Sequence, residues 1–339
     1  MWKKIFILLI LFLAACRGQT AVSPTPDSII AANDATAVTE IGQGSYQAPY
    51  KLLWNPDLDA VLVGHDTRVS LMNADGSDGG IFMTVPNEEG SIIDFSLDGT
   101  LAALLPDEKI VHLYLLTSEI EAGALTNIGQ ANNVHVSPDG SKIALTSADD
   151  PLVSFWNVET ETEEYTLNGF ESEVLTSAGQ TISEYRVAFS SDWGTMIWMV
   201  NDTVQLQAVG SGEMGLSFQQ DDLVQAIALS SDNVLAVATA GTLQGGDIPI
   251  VKLWDAELGT DLGAFELPIE ALSLAFSPDG GLLATGNQDG TIMLWDVANQ
   301  EEIATLTGHS NMVQHLAFSP DGRLLASAGA DTVHIWGVR

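Results

Sequence analysis

Residues 276–296, FSPDGGLLATGNQDGTIMLWD, and 308–336, GHSNMVQHLAFSPDGRLLASAGADTVHIW, decide how this chain folds. Each carries a Phe-Ser-Pro-Asp-Gly turn, an apolar run ending in small residues, a polar turn, and a second apolar run ending at Trp. Proline pre-sets the first central angle of a type I turn, Asp suits the second, and Gly follows where the chain re-enters a strand. Working outward, the turn recurs at 54–57 (WNPD), 95–98 (FSLD), 136–139 (VSPD), 189–192 (FSSD) and 229–232 (LSSD). Seven units result, their aspartates 41, 41, 53, 40, 47 and 42 residues apart.

No segment shows a helical stripe, while short alternating runs bounded by turns are abundant. Seven units of this period predict an all-β, seven-bladed β-propeller. The last two units resemble WD repeats, and Leu253-Trp254-Asp255 and Phe155-Trp156-Asn157 mark the fifth and third units in the same way. Units one, two and four depart from that pattern, with Met72, Tyr114 and Gln207 near the Trp position. The first unit also resembles the repeats of the Tol-system periplasmic propeller, through WNPD and MNADGSDGG (72–80). The seventh unit stops three residues after Trp336, without the outer strand that 303–306 supplies to the sixth. Residues 37–41 are expected to fill that place, closing the ring and removing a sheet edge that would pair with other chains.

The chain of 339 residues has 45 Asp plus Glu against 11 Lys plus Arg, a formal net charge of −34. Such a surface repels phosphates, which excludes a general nucleic-acid binder. A single cysteine permits neither an internal disulfide nor a thiolate metal cluster. That cysteine carries an address instead. Lys3 and Lys4 precede an apolar run from Ile5 to Phe12, and Leu13-Ala14-Ala15 leads directly into Cys16. The run is too short to span a bilayer as a mature helix and reads as a secretory signal. It resembles the bacterial lipoprotein signal, which implies cleavage before Cys16, lipidation of its thiol and acylation of its new amine. The expected organisation is a signal peptide at 1–15, a lipidated Cys16 with a flexible tether to residue 35, and the propeller at 36–339. Residues 17–35, rich in Ser, Thr, Pro and Ala, would reach at most about 60 Å when extended. Arg17, where an inner-membrane retention signal would have Asp, favours the outer membrane in a cell with two membranes.

Four candidate chemistries fare poorly against structural readings. His309, Ser327, Asp331 and Trp336 invite comparison with a hydrolytic triad, yet a triad needs an exposed nucleophile and an oxyanion site. The WD resemblance implies a buried hydrogen-bond chain through these four residues, with partial versions at Thr285, Asp289 and Trp295 and at Thr146, Asp150 and Trp156. His112 and His334 are expected as exposed strand residues, since no second ligand sits at metal spacing. His135 and His315 fall on innermost strands and would line the central channel, with no carboxylate assignable beside them. Segment 190–194 lacks the ending of a sialidase Asp box, and 73–79 lacks the spacing and distal Glu of a calcium loop. No cofactor and no metal ion are expected.

Two insertions remain, at 170–183 before the fourth unit and at 240–249 inside the fifth. In WD propellers both connection types emerge on one face, the face generally used for partners. The expected function is therefore a non-enzymatic protein-binding platform, monomeric, extracytoplasmic and anchored through Cys16. Candidate contacts are Phe170, Glu171, Glu173, Leu243, Gln244, Asp247, Ser310, Asn311 and Met312. The competing readings are an envelope propeller enzyme of lactonase or glycosidase type, and a sensor holding a small molecule or glycan in the channel. The anchor is tested by Cys16→Ala, which should release the protein from the membrane fraction or stall its processing; unaltered lipid labelling would remove the anchor.

Overall fold

In the computed structural model of the chain, the Ser-Pro-Asp-Gly segments form tight hairpin turns. Gly140, Gly280 and Gly322 have φ near 70° and donate their N–H groups to the carbonyls of Ser137, Ser277 and Ser319 at 2.8–2.9 Å. Each of these serines donates its hydroxyl to the aspartate two residues on, at 2.6–2.7 Å. The same oxygen accepts the N–H of the strand residue five positions on, at 2.9 Å. One side chain thus satisfies the turn and primes the next strand. Where units four and five lack the glycine, Trp193 and Asn233 take the left-handed conformation instead, with φ of 58° and 62°.

The structure describes residue 30 and residues 37–46, 48–55, 58–65, 68–84, 92–96, 99–105, 109–116, 120–147, 152–169, 186–241, 248–330 and 332–338. Among the described residues every regular element is a β-strand. The first is β1 (Val38–Ser45). Blade one is β2 (Pro49–Asn55), β3 (Ala60–His65), β4 (Arg68–Asn73) and β5 (Asp78–Thr84). Blade two is β6 (Ile92–Phe95), β7 (Leu101–Leu105), β8 (Ile110–Leu115) and β9 (Ile120–Thr126). Blade three is β10 (Asn133–Val136), β11 (Lys142–Thr146), β12 (Leu152–Asn157) and β13 (Thr162–Asn168). Blade four is β14 (Arg186–Phe189), β15 (Thr195–Val200), β16 (Thr203–Ala208) and β17 (Met214–Gln219). Blade five is β18 (Val224–Leu229), β19 (Val234–Thr239), β20 (Ile250–Asp255) and β21 (Asp261–Glu266). Blade six is β22 (Ala271–Phe276), β23 (Leu282–Asn287), β24 (Ile292–Asp296) and β25 (Glu301–Leu306). Blade seven adds β26 (His315–Phe318), β27 (Leu324–Ala328) and β28 (Thr332–Val338).

Each blade is an antiparallel four-stranded sheet in chain order, except the seventh, whose order is β1-β28-β27-β26. The N-terminal strand therefore closes the ring as the sequence predicts, pairing Val38 with Val338 and Ser45 with Thr332 across one bulge. The first strand of each blade is innermost, and those of blades two and three, five and six, six and seven, and seven and one pack against one another around the axis. The core is divided among seven buried clusters, one at every seam between adjacent blades. Trp54 of β2 also donates its Nε1–H to the Ala317 carbonyl of β26 at 2.8 Å, tying the first blade to the last.

One boundary moves. Ile30, assigned by the sequence to the tether, is fully buried in the cluster between blades six and seven, and its N–H donates to the Gly322 carbonyl at 2.9 Å. An aliphatic side chain gains about 1.5–3 kcal/mol on full burial, which favours the buried position of Ile30. Deleting residues 36–44 removes β1 and exposes the β28 edge; the melting temperature should fall by many degrees and the transition should broaden, whereas unchanged cooperative melting would contradict closure by β1.

Candidate functional site

Blade seven holds the hydrogen-bond chain at the centre of its sheet. Trp336 on β28 donates Nε1–H to Ser327 Oγ on β27 at 2.8 Å. Ser327 Oγ lies 2.7 Å from His309 Nε2, and His309 Nδ1 lies 3.2 Å from Thr332 Oγ1. Burial and the neighbouring His334 hold His309 down to about 3, so its ring is neutral near pH 7. In either neutral tautomer the ring bridges Ser327 and Thr332, one nitrogen donating and the other accepting. Ser327 is fully buried, so its hydroxyl is not presented to a substrate. Asp331 lies outside the described residues.

His334 corrects the sequence reading. It is buried rather than exposed, stacked parallel to the Trp336 ring and 4.1 Å centroid to centroid from His309. Its Nδ1 lies 3.5 Å from Glu40 Oε2 on β1. Closure by β1 pairs the edge of β28 that a three-stranded blade would leave to solvent, and brings Glu40 beside His334. Gly308 completes this packing, because a Cβ there would meet the Trp336 ring at 3.0 Å and Glu40 Oε2 at 3.3 Å. His112, by contrast, is partly exposed and contacts Glu121 at 2.7 Å.

The other blades solve the same problem with different residues. In blade six Trp295 Nε1 is 3.4 Å from Thr285 Oγ1, the position equivalent to Ser327. Asp289 instead accepts from the N–H and hydroxyl of Thr291 in the turn. In blade three the equivalent position is Leu145, not Thr146, since Leu145 pairs with Ser154 as Ser327 pairs with His334. Thr146 is one residue on and faces the other side of the sheet. Trp156 therefore donates to Ser154 Oγ, two residues before it, at 3.0 Å; Asp150 lies outside the described residues.

In blade four the roles are exchanged between strands. Trp198 occupies the Ser327 position on β15, Gln207 occupies the Trp336 position on β16, and Trp198 Nε1–H donates to Gln207 Oε1 at 2.8 Å. Gly169 packs on the Trp198 ring as Gly308 does on Trp336. In blade five Val237 takes the acceptor position and Trp254 Nε1 is buried without a partner.

The channel is lined by first strands. His135 and His315 both reach it, as the sequence predicts, and burial holds each down to about 4. A carboxylate does stand there, which the sequence reading did not assign. Asp94 of β6 accepts the Val136 N–H at 2.9 Å and pairs with Lys51 Nζ of β2 at 2.9 Å. Among the described residues no group of three or more His, Cys, Asp or Glu is arranged to hold a metal ion.

The strand topology settles where the insertions emerge. The connection before blade four enters at Arg186 and that of blade five leaves at Thr239 and returns at Ile250. Thr239 pairs with both Val224 and Ile250 at one end of blade five, and Arg186 donates to the Val224 carbonyl. Both insertions thus leave the same face of adjacent blades. Phe170, Glu171, Glu173, Leu243, Gln244 and Asp247 lie outside the described residues. Ser310, Asn311 and Met312, in the connection from β25 to β26, are exposed on that face, Met312 at 39%. Two apolar residues that sequence reasoning missed accompany them, Leu223 at 53% and Ile248 at 54% exposure.

Comparison with known proteins agrees with this geometry. Residues 268–296 and 300–337 match the family described as WD domain, G-beta repeat. Over 169 residues, 49% of this chain, the sequence is 34% identical to Apoptotic protease-activating factor 1 of Rattus norvegicus, of which it spans 12%. Over 214 residues, 58% of this chain, it is 27% identical to WD repeat-containing protein VIP3 of Arabidopsis thaliana, of which it spans 62%. A chain solved in the crystal structure of a Mitotic Checkpoint Complex superposes with a TM-score of 0.67 at 19% identity, covering 100% of this chain and 99% of that one. A hydrogen-bond acceptor supplied at the acceptor position of blade five, Val237→Thr, should raise stability by up to about 1 kcal/mol, although Val to Thr in a core ordinarily lowers it; urea unfolding that shows a loss would mean that the new hydroxyl does not bond Trp254. The fold is an all-β, seven-bladed propeller of WD-repeat type, and the chain is similar to WD-repeat proteins most directly through blades six and seven.

Proposed function

We propose that the protein is a lipid-anchored, extracytoplasmic platform that binds a protein partner on the loop face of its propeller and catalyses no reaction. The observation that carries this reading is the placement of Leu223, Ile248 and Met312, exposed apolar side chains on the one face from which both insertions emerge. Apolar groups exposed together on a rigid frame supply binding energy when a partner covers them. The frame is rigid because seven closed sheets hold it, so little ordering is lost on association. WD-repeat likeness supports the same use, and the structural relative was solved within a multiprotein complex. The arrangement of Ser327 and His309 disfavours hydrolysis, since the hydroxyl is buried and committed to Trp336. The signal and Cys16 supply the address, with the propeller as a monomer on its tether.

Crosslinking capture by the full-length protein in its native cells tests the face. Exchanging Leu223, Ile248 and Met312 together for Ser should leave melting unchanged and reduce capture of the specific partner at least about tenfold. Replacing 170–183 and 240–249 by short turns should act the same way. An unchanged set of captured proteins in both variants would remove this face as the site.

A further inference from the structure

The loop-side half of the channel carries a charge arrangement that partner binding on the rim does not use. Arg186, the first residue of β14, reaches from blade four to blade five along the channel wall. Its Nη1 donates to the Gln225 carbonyl at 3.2 Å and its Nη2 to the Val224 carbonyl. Guanidinium has five N–H donors, and these contacts fix its plane while using two of them. Carbonyls orient the group without neutralising it. The ion pairs among the described residues engage Lys51, His112, Lys142, Lys252, Arg323 and His334, and Arg186 takes part in none.

Arg186 borders a cavity of about 350 Å³ that Lys51, Gln225, Gln314 and His315 also line. Lys51 is shared with Asp94, which lines the deeper half of the channel, so the cavity is positive by the charge of Arg186. His315 adds no charge near pH 7, because burial and the field of Lys51 keep its ring neutral. An excess positive charge in a concave site is notable in a chain with a net charge of −34. Fixed guanidinium donors beside amide donors match the geometry of a planar or tetrahedral oxyanion.

We propose that this half of the channel binds a small oxyanionic ligand, a carboxylate or a phosphate, received by Arg186 with Lys51, Gln225 and Gln314 as further donors. The cavity admits a molecule of metabolite size and excludes a folded partner. The site is independent of the rim reading, since Leu223, Ile248 and Met312 contribute nothing to it.

Calorimetric titration of the full-length protein with succinate and, separately, with inorganic phosphate tests the site. At least one probe should bind with one site per chain, and whichever binds names the ligand class. Arg186→Gln should weaken that binding at least about tenfold, while Arg323→Gln, a distant surface change, should leave it unaltered. Because Arg186 also straps two blades, Gln314→Glu provides a second variant that leaves the strap intact. It places a carboxylate in the cavity and should weaken binding to a similar degree. Absence of binding by both probes overturns the proposal, as does binding that survives Gln314→Glu in a protein with normal melting. Equal weakening by Arg323→Gln would reduce the effect to general charge and overturn it as well. Loss of anion binding with partner capture intact, or the reverse, separates the two sites.

Discussion

Pairing of β1 with β28 is the interaction on which the rest of the structure depends. Seven blades create seven seams only if the ring is closed, and every buried cluster lies at a seam. An open ring would leave two sheets each with an apolar face in water, at a cost of about 1.5–3 kcal/mol for each large side chain exposed. The entropic cost of bringing residue 38 to residue 338 rises only logarithmically with length, by about 0.6 kcal/mol per doubling. Closure is therefore cheap relative to the seams that it completes. Glu40 adds a polar reason for the strand to stay, because it lies over His334 beside the blade's tryptophan.

Within each blade the requirement is narrower: a large ring must be buried against the next sheet and its polar edge satisfied. Blades seven, six, three and four meet it with a Ser, a Thr, a neighbouring Ser and a Gln on the opposite strand, while Trp254 of blade five is left without an acceptor. In blades four, six and seven the bond joins the same two register positions on paired strands whatever residues fill them, whereas blade three finds its acceptor on the tryptophan's own strand. Blade four shows this most clearly, since the aromatic donor and its acceptor have changed strands and the bond is retained.

That distinction explains how much was legible beforehand. Seven turn signatures fixed the number of blades, and the chain ends located the closing strand, because turns depend on local chemistry that short motifs carry. Gln207 read as a departure from the Trp pattern, because no linear motif reveals that Trp198 stands diagonally from it on the paired strand. Thr146 was misplaced by one residue, which in a strand is the difference between the two faces of the sheet. His334 fell on a strand of ordinary alternating character, and its burial follows only from β1 arriving from the other end of the chain. Asp94 and Arg186 gave no signal for a related reason. Their partners, Lys51, Val136, Val224 and Gln225, come from other blades.

Ile30 gives the fold a mechanical property. Any pull transmitted from an anchored N-terminus reaches Ile30 before it reaches Val38, and Ile30 is held by the seam of blades six and seven and by the Gly322 carbonyl. Val38 sits at the end of the antiparallel β1–β28 ladder opposite Val338, where a direct load would peel the strand one bond at a time. The docked isoleucine takes that load first, as a cleat takes the strain of a rope, and spares the β1–β28 ladder.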